Sequence, residues 1–227
     1  MKHINHIFFD LDHTLWDFEK NSDLAFESVF EKHKINISVS KFLYYYKNIN
    51  QHYWKLYREE KVTKAELRYG RLKDTFVKAN INVSDTVIDM LAVDYIEVLP
   101  TYNYLFEGTQ EILEHLQGSY QLHIITNGFN EVQFKKIENS GISSFFDKII
   151  TSEEVGVKKP NPKIFQYALE KTKAKSQESI MIGDNWEADI MGAKNAGLDV
   201  IFCNFDLQPV GENIKSVHNL IEIKKFL

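Results

Sequence analysis

A doubly wound α/β fold carrying an all-helical insertion is the architecture this sequence predicts, and two observations predict it. Short apolar runs ending in polar punctuation recur along the chain, separated by amphipathic helical patterns. Between about residues 17 and 100 that rhythm stops and helical periodicity alone continues. The apolar runs are residues 7–9 closed by Asp10, 122–125 closed by Thr126-Asn127-Gly128, 149–150 before Thr151, 180–182 before Gly183-Asp184, and 200–202. Continuous runs this short suit strands buried on both faces, as a parallel sheet requires. Helical patterns lie over 109–116, 131–139, 162–171 and 186–195, with Gly118, Gly141 and Gly197 where such helices stop. The insertion holds no convincing strand and places aromatics at Phe26, Phe30, Tyr46, Tyr53, Trp54 and Tyr57, with Pro100 and Gly108 punctuating the return. The expected organisation is therefore an α/β core of residues 1–16 and 101–227 and a helical domain of 17–100.

Composition narrows the function classes. A hydrophobic share of 44% over 227 residues belongs to a globular protein rather than a disordered one. A formal net charge of -5 argues against a nucleic-acid polymer as partner, because phosphate-backbone binding needs clustered Lys and Arg. Cys203 is the single cysteine, so neither an internal disulfide nor a cysteine-based zinc site is expected, and its place in an apolar run suits a buried small side chain. No run is long enough for a signal peptide or a bilayer span, so a cytoplasmic protein without a membrane partner is expected, a monomer or weak homo-oligomer.

Four polar segments carry the candidate chemistry. Asp10-Leu11-Asp12-His13-Thr14 follows the first apolar run, placing two acids at the carboxyl edge of a strand, where open α/β sheets bind ligands. One carboxylate can attack phosphorus, and the other can pass a proton to the leaving oxygen and later take one from water. Taken alone, the segment is equally a polar turn with two solvated aspartates. Gly183-Asp184-Asn185-Trp186-Glu187-Ala188-Asp189 offers oxygen ligands for a hard cation such as Mg²⁺, although Asp184 or Asn185 would serve as well to cap the following helix. Lys158-Lys159-Pro160-Asn161-Pro162 offers an ammonium ahead of a helix, which in isolation is an exposed charge beside an N-terminal proline. Thr126-Asn127-Gly128 offers a hydroxyl and backbone N–H groups to phosphate oxygens, or is a plain turn.

Acid pair, threonine, lysine and acid cluster in this order, across essentially the whole chain, resemble the haloacid-dehalogenase-like hydrolase superfamily. The resemblance implies a Rossmann-like core, Asp10 as nucleophile, Asp12 as general acid/base, and Thr126, Asn127 and Lys159 as phosphoryl-binding groups. Lys159 is preferred to Lys158 because the family lysine directly precedes the proline. It also implies Mg²⁺ held by Asp10, the Asp12 backbone carbonyl and Asp184, with Asn185 or Asp189 as outer support. The helical insertion stands where the family has its cap, which closes over the site and selects substrate. Dehalogenases of the superfamily lack an acid two residues after the nucleophile, so Asp12 implies phosphate chemistry.

Three further strings, Ile124-Ile125-Thr126-Asn127-Gly128-Phe129, Ser152-Glu153-Glu154-Val155-Gly156-Val157 and Asn195-Ala196-Gly197-Leu198, are similar to the noncanonical pyrimidine 5'-nucleotidases, as is the stretch 50–71 with Trp54, Tyr57 and Arg71. The implied activity is hydrolysis of a nucleoside 5'-monophosphate, a small phosphate ester. A sugar-phosphate phosphatase or mutase of the same fold is the alternative, and a phosphate-ligand sensor without turnover the alternative from another class. His13 is expected to be a loop residue without a catalytic part. Trp16 and Phe18 are expected to pack where the chain leaves the core, with stacking on a base as the other possibility.

Overall fold

The computed structural model describes residues 4–211 and 213–227. The chain forms two compact units, one of Met1–Phe18 with Asn103–Leu227, the other of Glu19–Tyr102. After β1 (His6–Phe9) come four helices, α1 (Phe18–His33), α2 (Val39–Arg58), α3 (Lys64–Lys78) and α4 (Asp85–Val98). The chain continues through α5 (Thr109–Gln117), β2 (Gln121–Thr126), α6 (Asn130–Asn139), β3 (Phe146–Thr151), α7 (Ser152–Val155) and α8 (Pro162–Thr172). It then forms β4 (Ser179–Gly183), a π-wound turn over Trp186–Met191, α9 (Gly192–Asn195), β5 (Asp199–Cys203) and β6 (Lys215–Val217).

The six strands make one parallel sheet in the order β3-β2-β1-β4-β5-β6. All four residues of β1 and all five of β4 are buried, as are five of the six in β2, which is why these segments read as unbroken apolar runs. β1 is flanked by β2 on one side and β4 on the other, so strand order reverses there, and ligands of open α/β sheets bind beyond the carboxyl ends at such a switch point. β6 was not foreseen. It is a three-residue edge strand with only Val217 buried, too short and too polar to show as an apolar run. The helix expected over 186–195 is wound in two ways: the Ile190 N–H bonds to the Asn185 carbonyl five residues back at 3.3 Å, widening the first turn before α9 resumes. Gly141 (φ 71°) and Gly197 (φ 87°) do take the left-handed conformation after their helices, whereas Gly118 ends α5 at φ -74°.

In the helical unit, Ser38, Thr63 and Ser84 cap α2, α3 and α4 through their hydroxyls. Phe26, Phe42, Tyr46, Phe76 and Tyr95 are buried against one another, with Phe26 and Tyr95 stacked at 4.3 Å. Arg71 is buried with its guanidinium 5.1 Å from the Tyr95 ring centre and Nη1 donating to Asn50 Oδ1 at 3.0 Å. Tyr57 is buried too, while Tyr44 is exposed.

At the amino end of the sheet two histidines lie inside the core. His6 Nδ1 and His123 Nε2 are 3.2 Å apart, and the His123 ring also packs on Phe8 at 4.9 Å. Burial, with the charge of His6 second, lowers the His123 pKa from 6.5 to about 4. The unfolded chain therefore binds a proton that the folded state refuses, and stability falls as the pH drops from about 6.5 toward about 4. This histidine is expected to cost about 2 kcal/mol between pH 7 and pH 5. Urea unfolding at both pH values is expected to show a smaller acid loss in His123→Gln than in the parent; an unchanged loss would contradict the assignment.

Candidate active site

Asp10 leaves the end of β1 with its N–H bonded to the Ile182 carbonyl of the neighbouring β4 at 2.9 Å. The chain then turns sharply: the Leu11 carbonyl accepts from the N–H groups of Leu15 and Trp16, both at 2.9 Å, and His13 takes a positive φ of 63°. This turn buries Thr14 fully and aims its hydroxyl at Asp184 Oδ1, 3.1 Å away at the end of β4.

Lys159 is the centre of the site. Its ammonium, 2% exposed, lies 2.6 Å from Asp10 Oδ1, 2.7 Å from Asp189 Oδ1 and 2.7 Å from the Ile125 carbonyl. The contacts to Asp10 and Ile125 are hydrogen bonds, whereas Asp189 Oδ1 is held by charge alone and has no hydrogen-bond partner among the described residues. The Lys159 backbone is held in turn by Asn127, whose Oδ1 accepts its N–H at 2.8 Å and whose Nδ2 donates to its carbonyl at 3.0 Å. The Asn127 side chain thus braces Lys159 at both ends, with one Nδ2 proton and its backbone N–H left over for the substrate contact the sequence suggested. Lys158 is neither so buried nor placed on Asp10, in agreement with the preference for Lys159. Just beyond, Asn161 caps α8 and Pro162 opens it.

Thr126 ends β2 and is buried. Its Oγ1 accepts from the Gly128 N–H at 3.1 Å and from Gln133 Nε2 at 2.8 Å. With both lone pairs taken, the hydroxyl proton is the group left to offer an anion. A Cβ on Gly128 would run into the Gln133 amide, so that close approach requires glycine. Gly183 has the same constraint, because a Cβ there would collide with Asp189.

Asp10, Asp184 and Asp189 bring carboxylate oxygens within 4.8 Å of one another. Asp189 is 1% exposed and also accepts the Asn185 N–H at 2.9 Å, so it stands inside the cluster rather than behind it. The Asn185 side chain caps the following turn through the Ala188 N–H at 2.9 Å, the plainer of the two roles the sequence allowed it. Burial pushes the Asp10 carboxyl up to about 8, with Lys159 opposing the rise and Asp189 and Asp184 adding to it. Asp184 is likewise pushed up to about 8 by burial and then by Asp189. Burial works to lower the Lys159 pKa, but Asp10 and Asp189 outweigh it and leave it raised. Three carboxylates facing one ammonium lack positive charge, and a hard cation among their oxygens would supply it.

A family model for haloacid dehalogenase-like hydrolases matches residues 7–203. The chain belongs to that family. Among its curated relatives, the pyrimidine 5'-nucleotidase YjjG of Escherichia coli is 32% identical over 228 residues, covering 97% of this chain and 96% of that one. A glyceraldehyde 3-phosphate phosphatase of Methanothermobacter thermautotrophicus is 32% identical over 88% of this chain and 86% of its own. Among solved structures, the HAD-hydrolase YfnB of Bacillus subtilis, bound to magnesium, superposes with a TM-score of 0.90 at 29% identity, covering 100% of this chain and 99% of that one.

Two residues of this hydrolase's site escaped the sequence reading. Gln133 and Lys136 stand three apart on one face of α6, 1% and 2% exposed. Gln133 Nε2 donates to Asp12 Oδ2 at 2.9 Å, and Lys136 Nζ lies 2.5 Å from Asp12 Oδ1. Burial is what marks them: Val132, Gln133, Lys136 and Ile137 form one buried helical stripe, two of whose members are polar. Trp16 is fully buried with the Lys136 ammonium 4.1 Å from its ring centre, so its face is occupied by a cation rather than open to a base. His13, in the turn after β1, packs against Phe18 at 4.9 Å, and Cys203 is buried, as its apolar run suggested.

The charge balance gives a direct check. Lys159→Met leaves three buried carboxylates without their ammonium and is expected to destabilise the protein by about 3 kcal/mol or more at about pH 8.5 in chelator. The loss should shrink near pH 5, where carboxyls already pushed up to about 8 take protons in the folded state. Urea melts of parent and variant at the two pH values measure it.

Proposed function

We propose that this hydrolase is a magnesium-dependent phosphatase that forms an aspartyl-phosphate on Asp10 and takes pyrimidine nucleoside 5'-monophosphates as its substrate class. The observation that carries the reading is the Asp10 carboxylate, held by Lys159 through Oδ1 at 2.6 Å with its other oxygen left for attack, beside the donor-ready Thr126 hydroxyl. The nucleotidase relative supports the substrate class.

Asp10 attacks phosphorus, forming a carboxyl O–P bond while the bond from phosphorus to the leaving oxygen breaks. Asp12 gives that oxygen its proton. Asp12 then accepts a proton from water as the water attacks the phosphoryl group, releasing phosphate and restoring the Asp10 carboxylate. Lys159 and Thr126 meet the phosphoryl oxygens as charge gathers on them. Asp10 and Asp184, with Asp189 beside them and the Asp12 carbonyl, would hold Mg²⁺, whose charge when bound offsets that of the carboxylates and phosphoryl oxygens. We assign the unit containing the sheet as the catalytic core and Glu19–Tyr102 as the cap that selects the leaving group.

The glyceraldehyde 3-phosphate phosphatase relative favours a second reading, a small sugar phosphate as substrate. Rates on uridine monophosphate, glyceraldehyde 3-phosphate and a hexose phosphate separate the two; a clear preference for the sugars removes the nucleotidase reading. Asp10→Asn is expected to abolish turnover without unfolding the chain. Chelation should stop the parent enzyme and added Mg²⁺ restore it; near-normal hydrolysis in either the variant or the chelated enzyme would overturn the mechanism.

A further inference from the structure

We propose that Lys136 is a positioning residue for proton transfer: from α6 it fixes the Asp12 carboxylate at the leaving-group side of the site, and it is itself seated on the face of Trp16. The inference rests on the phosphatase reading above and deepens it.

Asp12 sits in the tight turn after β1, with its backbone bridged to Trp16. Both its carboxylate oxygens are taken by α6, Oδ1 by Lys136 at 2.5 Å and Oδ2 by Gln133 at 2.9 Å. The same Gln133 amide nitrogen reaches Thr126 Oγ1 at 2.8 Å, so one side chain spaces the proton-transfer group from the phosphoryl-binding hydroxyl. Lys136 is 2% exposed, and a buried ammonium needs compensation. The structure supplies it as the Asp12 carboxylate on one side and aromatic faces on the other, Trp16 at 4.1 Å and Phe18 at 5.3 Å. Trp16 lies in the same turn as Asp12 and Lys136 on a helix, so the ammonium ties that turn to α6. A carboxylate fixed at both oxygens is pre-oriented. The later attack of water is common to every substrate, whereas in the phosphorylation step a misplaced proton donor costs rate only where the leaving group needs a proton.

That last condition supplies the test. A nucleoside 5'-oxygen leaves poorly as an anion and needs the proton, whereas p-nitrophenolate does not. Lys136→Met keeps the side chain's length against Trp16 and removes the charge. It is expected to lower the first-turnover rate of uridine release from uridine monophosphate by about 10- to 100-fold, with KM little changed. The first-turnover burst of p-nitrophenolate from p-nitrophenyl phosphate, which precedes the attack of water, should change in rate less than about threefold, which also reports that the variant has folded. Asp12→Asn should show the same selectivity in that first turnover, and the double variant should lose little more there than Asp12→Asn alone. Equal first-turnover losses on both substrates, no loss on either, or additive losses in the double variant would overturn the role of Lys136. Should Lys136→Met fail to fold, Lys136→Gln carries the same expectation and the same refutations. Asp10→Asn run alongside keeps the two claims apart: if it still hydrolyses both substrates, the aspartyl-phosphate reading fails, whatever Lys136 does.

Discussion

The site depends on one buried ammonium. Lys159 donates hydrogen bonds to Asp10 and the Ile125 carbonyl and forms an ion pair with Asp189, and these partners come from segments far apart in sequence. The side chain therefore holds the ends of β1 and β2 and the turn after β4 at one point. An ammonium buried this deeply is costly to desolvate, and its carboxylate partners are what make the placement tenable. The dependence is mutual, because the carboxylates are raised toward neutrality even with the lysine present. Such a cluster stores an electrostatic demand that a hard cation and an anionic substrate meet together.

The sheet makes the meeting point possible. With β2 and β4 on either side of β1, three strand ends open onto the same edge, and each delivers a polar residue directly after buried apolar ones. Close approach then sets residue choice. Gly183 gives way to Asp189 and Gly128 to Gln133, so two glycines that read as turn punctuation are better understood as space left for neighbouring side chains.

Most of this was legible before any coordinates. β1, β2, β4 and β5 announced themselves because they are almost wholly buried, while the edge strand β3 showed only through Ile149-Ile150, and polar residues of the site stood at the carboxyl ends of β1, β2 and β4. What stayed hidden has a physical reason in each case. β6 is an edge strand whose stability comes from pairing with β5, which leaves no apolar run to see. The widened turn at Trp186 depends on the Asn185 cap and on Asp189 folding back to the Asn185 N–H, contacts that helical periodicity does not encode. Lys136 and Gln133 read as ordinary polar residues of an amphipathic helix, since only the packing of α6 against the turn after β1 reveals that their face is buried. Thr14 was visible in its motif, but its bond to Asp184 joins residues that lie 170 apart in sequence.

The central claim is that Lys159 and its neighbours fit the Asp10 carboxylate to carry a phosphoryl group. The most direct measurement is mass spectrometry of enzyme quenched in acid during steady-state turnover, followed by mapping of the modified peptide. A phosphoryl group on the peptide containing Asp10, absent without substrate and chased away as substrate is exhausted, is the expected result. Enzyme that turns over at full rate with no such adduct, or with the adduct on another residue, would contradict it.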